Sequence, residues 1–309
     1  MKLIRSYLAV FLKGIAMGAA DVVPGVSGGT IAFISGIYER LLSAIRSFNL
    51  AALNVLIKQG IGPFWRHVDG IFLAVLLCGI LLSIATFARL LSYLLAYHPL
   101  PVWGFFFGLI VASVIYIWRQ ISFRSVGCWL LLILGTGLVL AAALAPHVQV
   151  QPTLPIIFGA GMLAICAMIL PGISGSFILL LLGMYPVILN AVAQTQWSVL
   201  VVFCGGCITG LLFFSRLLSW LLTCYHNLTL SILTGFLVGS LAVVWPWQSL
   251  HVVSSELVET GAKAELLWPS DYGQMIGDPQ WLSVIALMVF GAALVLVLEY
   301  IGGDGRDKL

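Results

Sequence analysis

Charge is what this sequence has least of. Asp, Glu, Lys and Arg make up 8% of the 309 residues, about a third of the share in a typical soluble domain, whereas 61% are hydrophobic. That balance excludes a water-soluble globular domain, and no low-complexity region is present. No nucleic-acid partner is expected. Histidine is scarce as well: His67, His98, His147, His226 and His251 lie in loops or at the ends of apolar runs. None is set inside a membrane-depth segment where it could act as base to a serine nucleophile. Metal-ligand clusters and nucleotide-binding loops are absent from the sequence, so no metal, no cofactor and no catalytic residue is expected. The six cysteines, Cys78, Cys128, Cys166, Cys204, Cys207 and Cys224, fall within or at the edges of apolar segments, not in polar loops where extracytoplasmic bridges form. They are expected to be free packing thiols. Cys204 and Cys207 have redox-motif spacing but lack the solvated setting that a reactive pair needs. Lys2 and Arg5 precede an apolar stretch that Lys13 interrupts, and with no cleavage site after it this segment is expected to be retained.

Long apolar runs are what the sequence has instead. Ile71 to Ala88, Val126 to Ala145, Val199 to Ser215 and Trp281 to Leu298 approach the roughly 20 residues that cross about 30 Å of hydrocarbon. Trp103, Trp118, Trp129, Trp197, Trp245 and Trp281 sit near run ends, as an interfacial aromatic belt requires. The chain also repeats itself. Gly14 to Ile45 aligns without a gap on Gly161 to Val192, so that Pro24-Gly25-Val26-Ser27-Gly28 falls on Pro171-Gly172-Ile173-Ser174-Gly175, and Gly36-Ile37-Tyr38 on Gly183-Met184-Tyr185. The likeness resumes at Ala88 to Leu95 against Ser215 to Leu222.

Each half has an apolar stretch broken at its Pro-Gly-x-Ser-Gly segment and then three unbroken runs: 71–97, 101–118 and 127–145, followed by 197–223, 227–247 and 280–300. If each broken stretch is a hairpin that returns to its starting side, three further crossings invert the second copy. Charge supports this, because cytoplasmic segments should carry the cations. With the amino terminus inside, those segments collect Lys2, Arg5, Lys13, Arg40, Arg46, Lys58, Arg66, Arg119, Arg124, Arg306 and Lys308, and the other side only Lys263. The expectation is an all-α polytopic membrane protein of two inverted-topology repeats, each a broken-helix hairpin plus three spanning helices, with both termini inside. It forms a single transmembrane domain, with repeat one over 1–150 and repeat two over 151–309. The stretch Asn49 to Val68 reads as an interfacial helix.

Paired breaks in matching positions mark a binding site, because lipid cannot satisfy irregular backbone and such segments survive only where they are buried or line a cavity. Helix starts at the two breaks present N–H groups suited to a phosphate or carboxylate. The expected anion site therefore comprises Ser27, Gly28, Gly29 and Thr30 with Ser174, Gly175 and Ser176. Against this stands the plainer reading that the hydroxyls only cap their own helices. Arg89 and Arg216 lie deep in spanning runs at equivalent repeat positions, toward opposite faces, where each can hold an anionic head group or else snorkel to its nearest interface. Asp21 and Glu39 flank the first break only, since Met168 and Pro186 stand in the second copy. They are the candidates for coupling to H+ or Na+. For Glu39, pairing with Arg40 or Arg46 is the simpler fate.

Lys13 to Thr30 (KGIAMGAADVVPGVSGGT), together with Leu170-Pro-Gly-Ile-Ser-Gly-Ser176, resembles a bacterial family of polyprenyl-phosphate transporters formerly known only as a domain of unknown function. The resemblance covers essentially the whole chain. It implies a multi-pass flippase of the bacterial cytoplasmic membrane that returns undecaprenyl phosphate from the outer to the inner leaflet. The implied partners are that lipid and the surrounding membrane lipids, with room for a homo-oligomer. Two other classes remain open on the residues alone. One is an anion channel or anion/proton exchanger. The other is an intramembrane enzyme acting on lipid or peptide, given the short Gly-x-Ser-Gly pattern at Gly25 to Gly28 and Gly172 to Gly175.

Overall fold

The computed structural model describes residues 2–21, 27–122, 125–144, 151–248 and 265–303. Regular structure among them is helical, apart from one isolated bridge between Gln248 and Leu266. The first half runs α1 (Lys2–Asp21), α2 (Gly28–Ile34), α3 (Tyr38–Arg46), α4 (Leu50–Gln59), α5 (Ile61–His67), α6 (Gly70–Tyr97), α7 (Pro99–Arg119) and α8 (Val126–Leu144). The second half follows the same plan with α9 (Leu154–Ile169), α10 (Gly175–Leu181), α11 (Tyr185–Ala193), α12 (Trp197–Cys224), α13 (His226–Val243), α14 (Pro269–Met275) and α15 (Trp281–Gly303). Among the described residues, α6, α7, α8, α12 and α13 are long and apolar enough to cross a membrane, and α15 offers a shorter apolar stretch, Trp281–Val297. These six helices coincide with the six expected runs to within a few residues. Helix α13 ends earlier than expected, at Val243, because Pro246 follows and bars the residue before it from helical geometry.

Three stretches are broken where continuous helix was expected. The returning arm of each hairpin is split by a glycine in the left-handed region, Gly36 (φ 73°) and Gly183 (φ 67°). Both form the same C-terminal cap: Gly36 N donates to Phe33 O and Ile37 N to Ala32 O, while Gly183 N donates to Leu180 O and Met184 N to Leu179 O. In the second copy the two pieces bend by 107°. The interfacial segment likewise divides at Gly60 (φ 86°) into α4, capped by the Asn49 side chain on Ala52 N, and α5. Leu50, Ile57, Ile61 and Trp65 stand exposed along it, an apolar edge of the kind that beds in a headgroup layer.

The chain forms two compact units, each drawing on both halves of the sequence. One comprises Met1–Ala88 and Val148–Thr229, the other Arg89–His147 and Leu230–Leu309. In the first unit, Gly14 of α1 lies against Leu76 and Gly79 of α6, and Gly18 against Ile80 and Ser83. Numbers rise together, so α1 and α6 run parallel and the chain between them has turned back to its starting side. The same holds for α9 and α12, with Gly206 against Phe158 and Gly210 against Met162. In the second unit α7 packs parallel to α15, Gly104 facing Val284 and Gly108 facing Met288, and α8 packs parallel to α13, Gly135 facing Ile232 and Gly239 facing Val139. Leu100, Trp247, Tyr272 and Val284 close a cluster at one end of this unit, where Trp247 Nε1 donates to Pro279 O.

The α7–α15 approach is so close that a Cβ on Gly108 would overlap the Met288 backbone, whereas one on Gly137 would meet nothing within 4 Å. Gly108→Leu should therefore lower stability by about 1–3 kcal/mol through overpacking, and Gly137→Leu should not. Thermal melts followed by size-exclusion chromatography in detergent compare the two. Equal melting temperatures would contradict the packing described.

Candidate functional site

A helix that stops inside a bilayer leaves four carbonyls without helical partners, and α9 stops at Ile169 because Leu170 turns extended (ψ 132°) ahead of Pro171. Its last four carbonyls can be accounted for one by one. Those of Cys166 and Ala167 accept from Leu170 N, at 3.3 and 3.1 Å. The carbonyl of Met168 accepts from Ser27 Oγ at 3.0 Å and that of Ile169 from the Tyr38 hydroxyl at 3.1 Å. Gly172 (φ 84°) then turns the chain, and its N–H donates to Thr30 Oγ1 at 3.1 Å. The second break is thus completed by three side chains that come from around the first.

The start of α2 has a matching solution. Ser27 is its N-cap, and the first three N–H groups all have acceptors: Gly28 N donates to Asp21 Oδ1 at 2.7 Å, Gly29 N to Ser27 Oγ at 3.1 Å, and Thr30 N to Ser27 O at 2.9 Å. Ser27 and Thr30 are 1% exposed. Residues 22–26, which include Pro24 and Gly25 of the first motif, lie outside the described residues. Glycine is required at position 29, where a Cβ would stand 2.5 Å from Ile169 O. Its repeat counterpart is Ser176, whose hydroxyl has room to pair with Ser174 Oγ at 2.8 Å, so Ser174 does not cap α10 as Ser27 caps α2. Gly175 rests against Ala164 of α9.

The expected site residues therefore separate into groups. Asp21, Ser27, Gly28, Gly29 and Thr30 gather with the end of α9. Ser174 and Ser176 pair with each other. Arg216 belongs to another seam: its Nη1 donates to Leu212 O at 2.9 Å on its own helix, and Nη2 donates at 2.8 Å to the carbonyl of Phe48, just past α3. The side chain of Arg89 lies outside the described residues. The expected pairing of Glu39 with Arg40 or Arg46 does not occur. Arg40 forms a two-point ion pair with Asp69, at 2.7 and 3.2 Å, and lies over the Phe72 ring, while Arg46 donates to Ser219 Oγ at 3.0 Å. Glu39 is exposed.

Sequence reasoning missed two contributors and one buried polar group in the neighbouring packing. Tyr38 was visible only as the last residue of the repeated Gly-Ile-Tyr segment. Lys13 stood in the sequence as one of the loop cations, yet its Nζ donates at 2.6 Å to Ser35 O, the cap residue of α2. Ser83, fully buried against Gly18, has a hydroxyl without a partner, and nothing in its apolar run singles it out. Among the described residues, no group of three or more His, Cys, Asp or Glu side chains could hold a metal ion.

Comparison with known proteins bears on this arrangement. Residues 17–260 match the profile of a family described as undecaprenyl phosphate translocase-like. The chain is 48% identical to a polyprenyl-phosphate transporter of Vibrio cholerae serotype O1 over 299 residues, 95% of this chain and 96% of that protein. It is 32% identical to a polyprenyl-phosphate transporter of Staphylococcus aureus over 271 residues, 78% of this chain and 87% of that protein. No solved structure matches.

The repeat itself supplies a test of the contact between breaks. Gly29→Ser, which installs the residue of the second copy, should push Ile169 away and lower stability by about 1–3 kcal/mol. Ser176→Gly, the reverse exchange, should cost less, since it removes one hydroxyl pair. A melt in which Ser176→Gly is the more damaging would refute the asymmetry.

Proposed function

Since this chain belongs to the undecaprenyl phosphate translocase-like family, we propose that it is a multi-pass transporter of the bacterial cytoplasmic membrane that returns undecaprenyl phosphate, or a closely similar polyprenyl phosphate, from the outer to the inner leaflet. The observation that carries the mechanism is the completion of the second break by Ser27, Thr30 and Tyr38 from around the first. Polar groups that serve each other in one state are available to a ligand in another. When the breaks part, the Ser27 and Tyr38 hydroxyls and the N–H of Gly172 become donors with no acceptor and the Thr30 hydroxyl is released, and a phosphate head group supplies acceptors for them. Ser174, Gly175 and Ser176 line the second half of that seat, and Arg89 and Arg216 receive the head group toward opposite faces. The prenyl tail stays in lipid throughout.

Two features support the inverted arrangement that such a cycle uses. Within a half, successive spans alternate in direction, so α7 opposes α8 and α13 opposes α15. Parallel packing of α7 with α15 and of α8 with α13 then makes the two halves run oppositely. The excess of Lys and Arg on the amino-terminal side agrees.

Asp21 carries the coupling. Its carboxylate already accepts from Gly28 N, in the seat that a phosphate oxygen takes when substrate is bound. Two anions do not share one donor, so substrate entry requires Asp21 to leave or to lose its charge, and uptake of a proton or of Na+ at Asp21 does this. Glu39, exposed on α3, is the lesser candidate. The relatives named as polyprenyl-phosphate transporters support a transporter over an enzyme, and the serines of the Gly-x-Ser-Gly patterns have structural partners, Ser27 Oγ with Met168 O and Gly29 N and Ser174 with Ser176.

Proteoliposomes carrying a fluorescent short-chain polyprenyl phosphate test the reading. The wild type should translocate the lipid, Arg89→Ala and Arg216→Ala should each slow it about tenfold or more, and Asp21→Asn should abolish its response to a transmembrane pH or Na+ gradient. Chloride flux without any prenyl phosphate would favour an anion channel instead, and undiminished transport in both arginine variants would rule out the head-group relay.

A further inference from the structure

Away from the breaks, α3 and α12 lie side by side and carry two guanidinium groups, Arg46 at the end of α3 and Arg216 within α12. Arg46 of α3 donates to Ser219 Oγ, and Arg216, one turn earlier on α12, donates to Leu212 O and Phe48 O. All three acceptors are neutral, so they orient the guanidiniums without cancelling their charge. The one ion pair among the described residues, Arg40 with Asp69, leaves both arginines without a carboxylate partner. A guanidinium has five N–H donors; Arg216 uses two and Arg46 one on these acceptors, and both side chains are exposed. Around them stand exposed Phe48, Phe213, Leu217 and Trp220, an apolar wall beside two fixed positive charges.

We propose that Arg46 and Arg216 together form a station for the phosphate monoester of a long-chain lipid, separate from the mated breaks, with the head group held between the two forks and the tail laid along Phe213, Leu217 and Trp220. The occupant's chemistry follows from the wall and the charges. A free inorganic anion would gain the charges but leave the aromatic surface unused, and a neutral lipid would leave both cations uncompensated beside hydrocarbon, which is costly. Planar guanidiniums suit a phosphate with several terminal oxygens better than a singly charged diester, because each fork binds two oxygens at once. The station adds Arg46 to the head-group relay. It relies on the transport reading for the lipid's biological identity but not for the binding itself.

Calorimetric titration of the detergent-purified full chain with farnesyl phosphate tests it. Arg46→Gln and Arg216→Gln should each weaken binding about tenfold or more, with salt weakening the wild type too. Ser219→Ala removes the contact that orients Arg46 but no charge and should weaken binding less than Arg46→Gln does, which separates binding by the charge from a merely structural staple. Arg46→Lys covers the case in which Arg46→Gln does not fold: it keeps the charge, loses the fork, and should still bind several-fold more weakly. Farnesol and inorganic phosphate should each bind at least about a hundredfold more weakly than farnesyl phosphate. Unchanged affinity in Arg46→Gln, or in Arg46→Lys where that variant is needed, overturns the station, and equal affinity for inorganic phosphate overturns its assignment to a lipid. Loss of farnesyl phosphate binding in the variants of a wild type that moves no polyprenyl phosphate would leave the station standing and sink the transport reading. Full transport and full binding in Arg46→Gln would do the reverse.

Discussion

A peptide group that has lost its helical partner inside hydrocarbon has no water to turn to, and this one constraint organises the first compact unit. Two helices stop short in the sequence, α1 at Asp21 and α9 at Ile169, each beside a Pro-Gly-x-Ser-Gly segment. Left unmet, each buried carbonyl or N–H would cost about 1–3 kcal/mol. The deficits are complementary: α9 ends in spare acceptors, and the segment that begins α2 carries spare hydroxyl donors. Bringing the breaks together satisfies both, so in the proposed cycle the irregular backbone that forms the seat is also what closes it.

The solution is one-sided although the sequence is repeated. Ser27, Thr30 and Tyr38 all act from the first copy on the backbone of the second. Ungapped alignment shows why the reverse set cannot form in full. Phe177 stands where Thr30 would be needed and has no hydroxyl; separately, Asp21, which serves the start of α2 within its own copy, has the uncharged Met168 as its counterpart. A duplicated scaffold has thereby acquired one break that carries the polar chemistry and one that is served by it. An ion-linked step fits such a design, because a single acid in one copy gives the two halves different responses to the same ion.

Much of this was legible in the sequence, and the rest was hidden for identifiable reasons. The six long runs were plain because a spanning segment must be apolar along its whole length, and α13 departed only where Pro246 sets a local rule that hydropathy ignores. The breaks were plain because Gly and Pro punctuate helices. Gly36 and Gly183 were aligned yet not read as helix ends, although a glycine followed by an apolar residue is what that cap requires. Hidden altogether was the choice of partners. Arg40 passes over adjacent Glu39 for Asp69, 29 positions away, and Ser27 reaches Met168 across 141 positions. Composition and spacing cannot encode such choices, since they depend on how α3 turns about its axis and where α9 ends.

The energetics of the proposed cycle follow from the same few contacts. Three hydrogen bonds join the breaks, and at about 0.5–1.5 kcal/mol net each they contribute roughly 2–4 kcal/mol to the mated state. A gap of that size leaves the parted state populated at about 0.1–3%, rare enough to keep the membrane sealed and common enough to be captured by a ligand. Much stronger mating would demand more than one phosphate could repay through its own hydrogen bonds, and much weaker mating would expose unpaired backbone to lipid. Hydroxyl-to-carbonyl contacts lie between these limits, whereas a buried ion pair across the breaks would cost several kcal/mol to separate. The scarcity of charge that first marked this sequence thus reaches its site, where the groups meeting across the breaks are neutral and the one nearby carboxylate, Asp21, binds within its own copy.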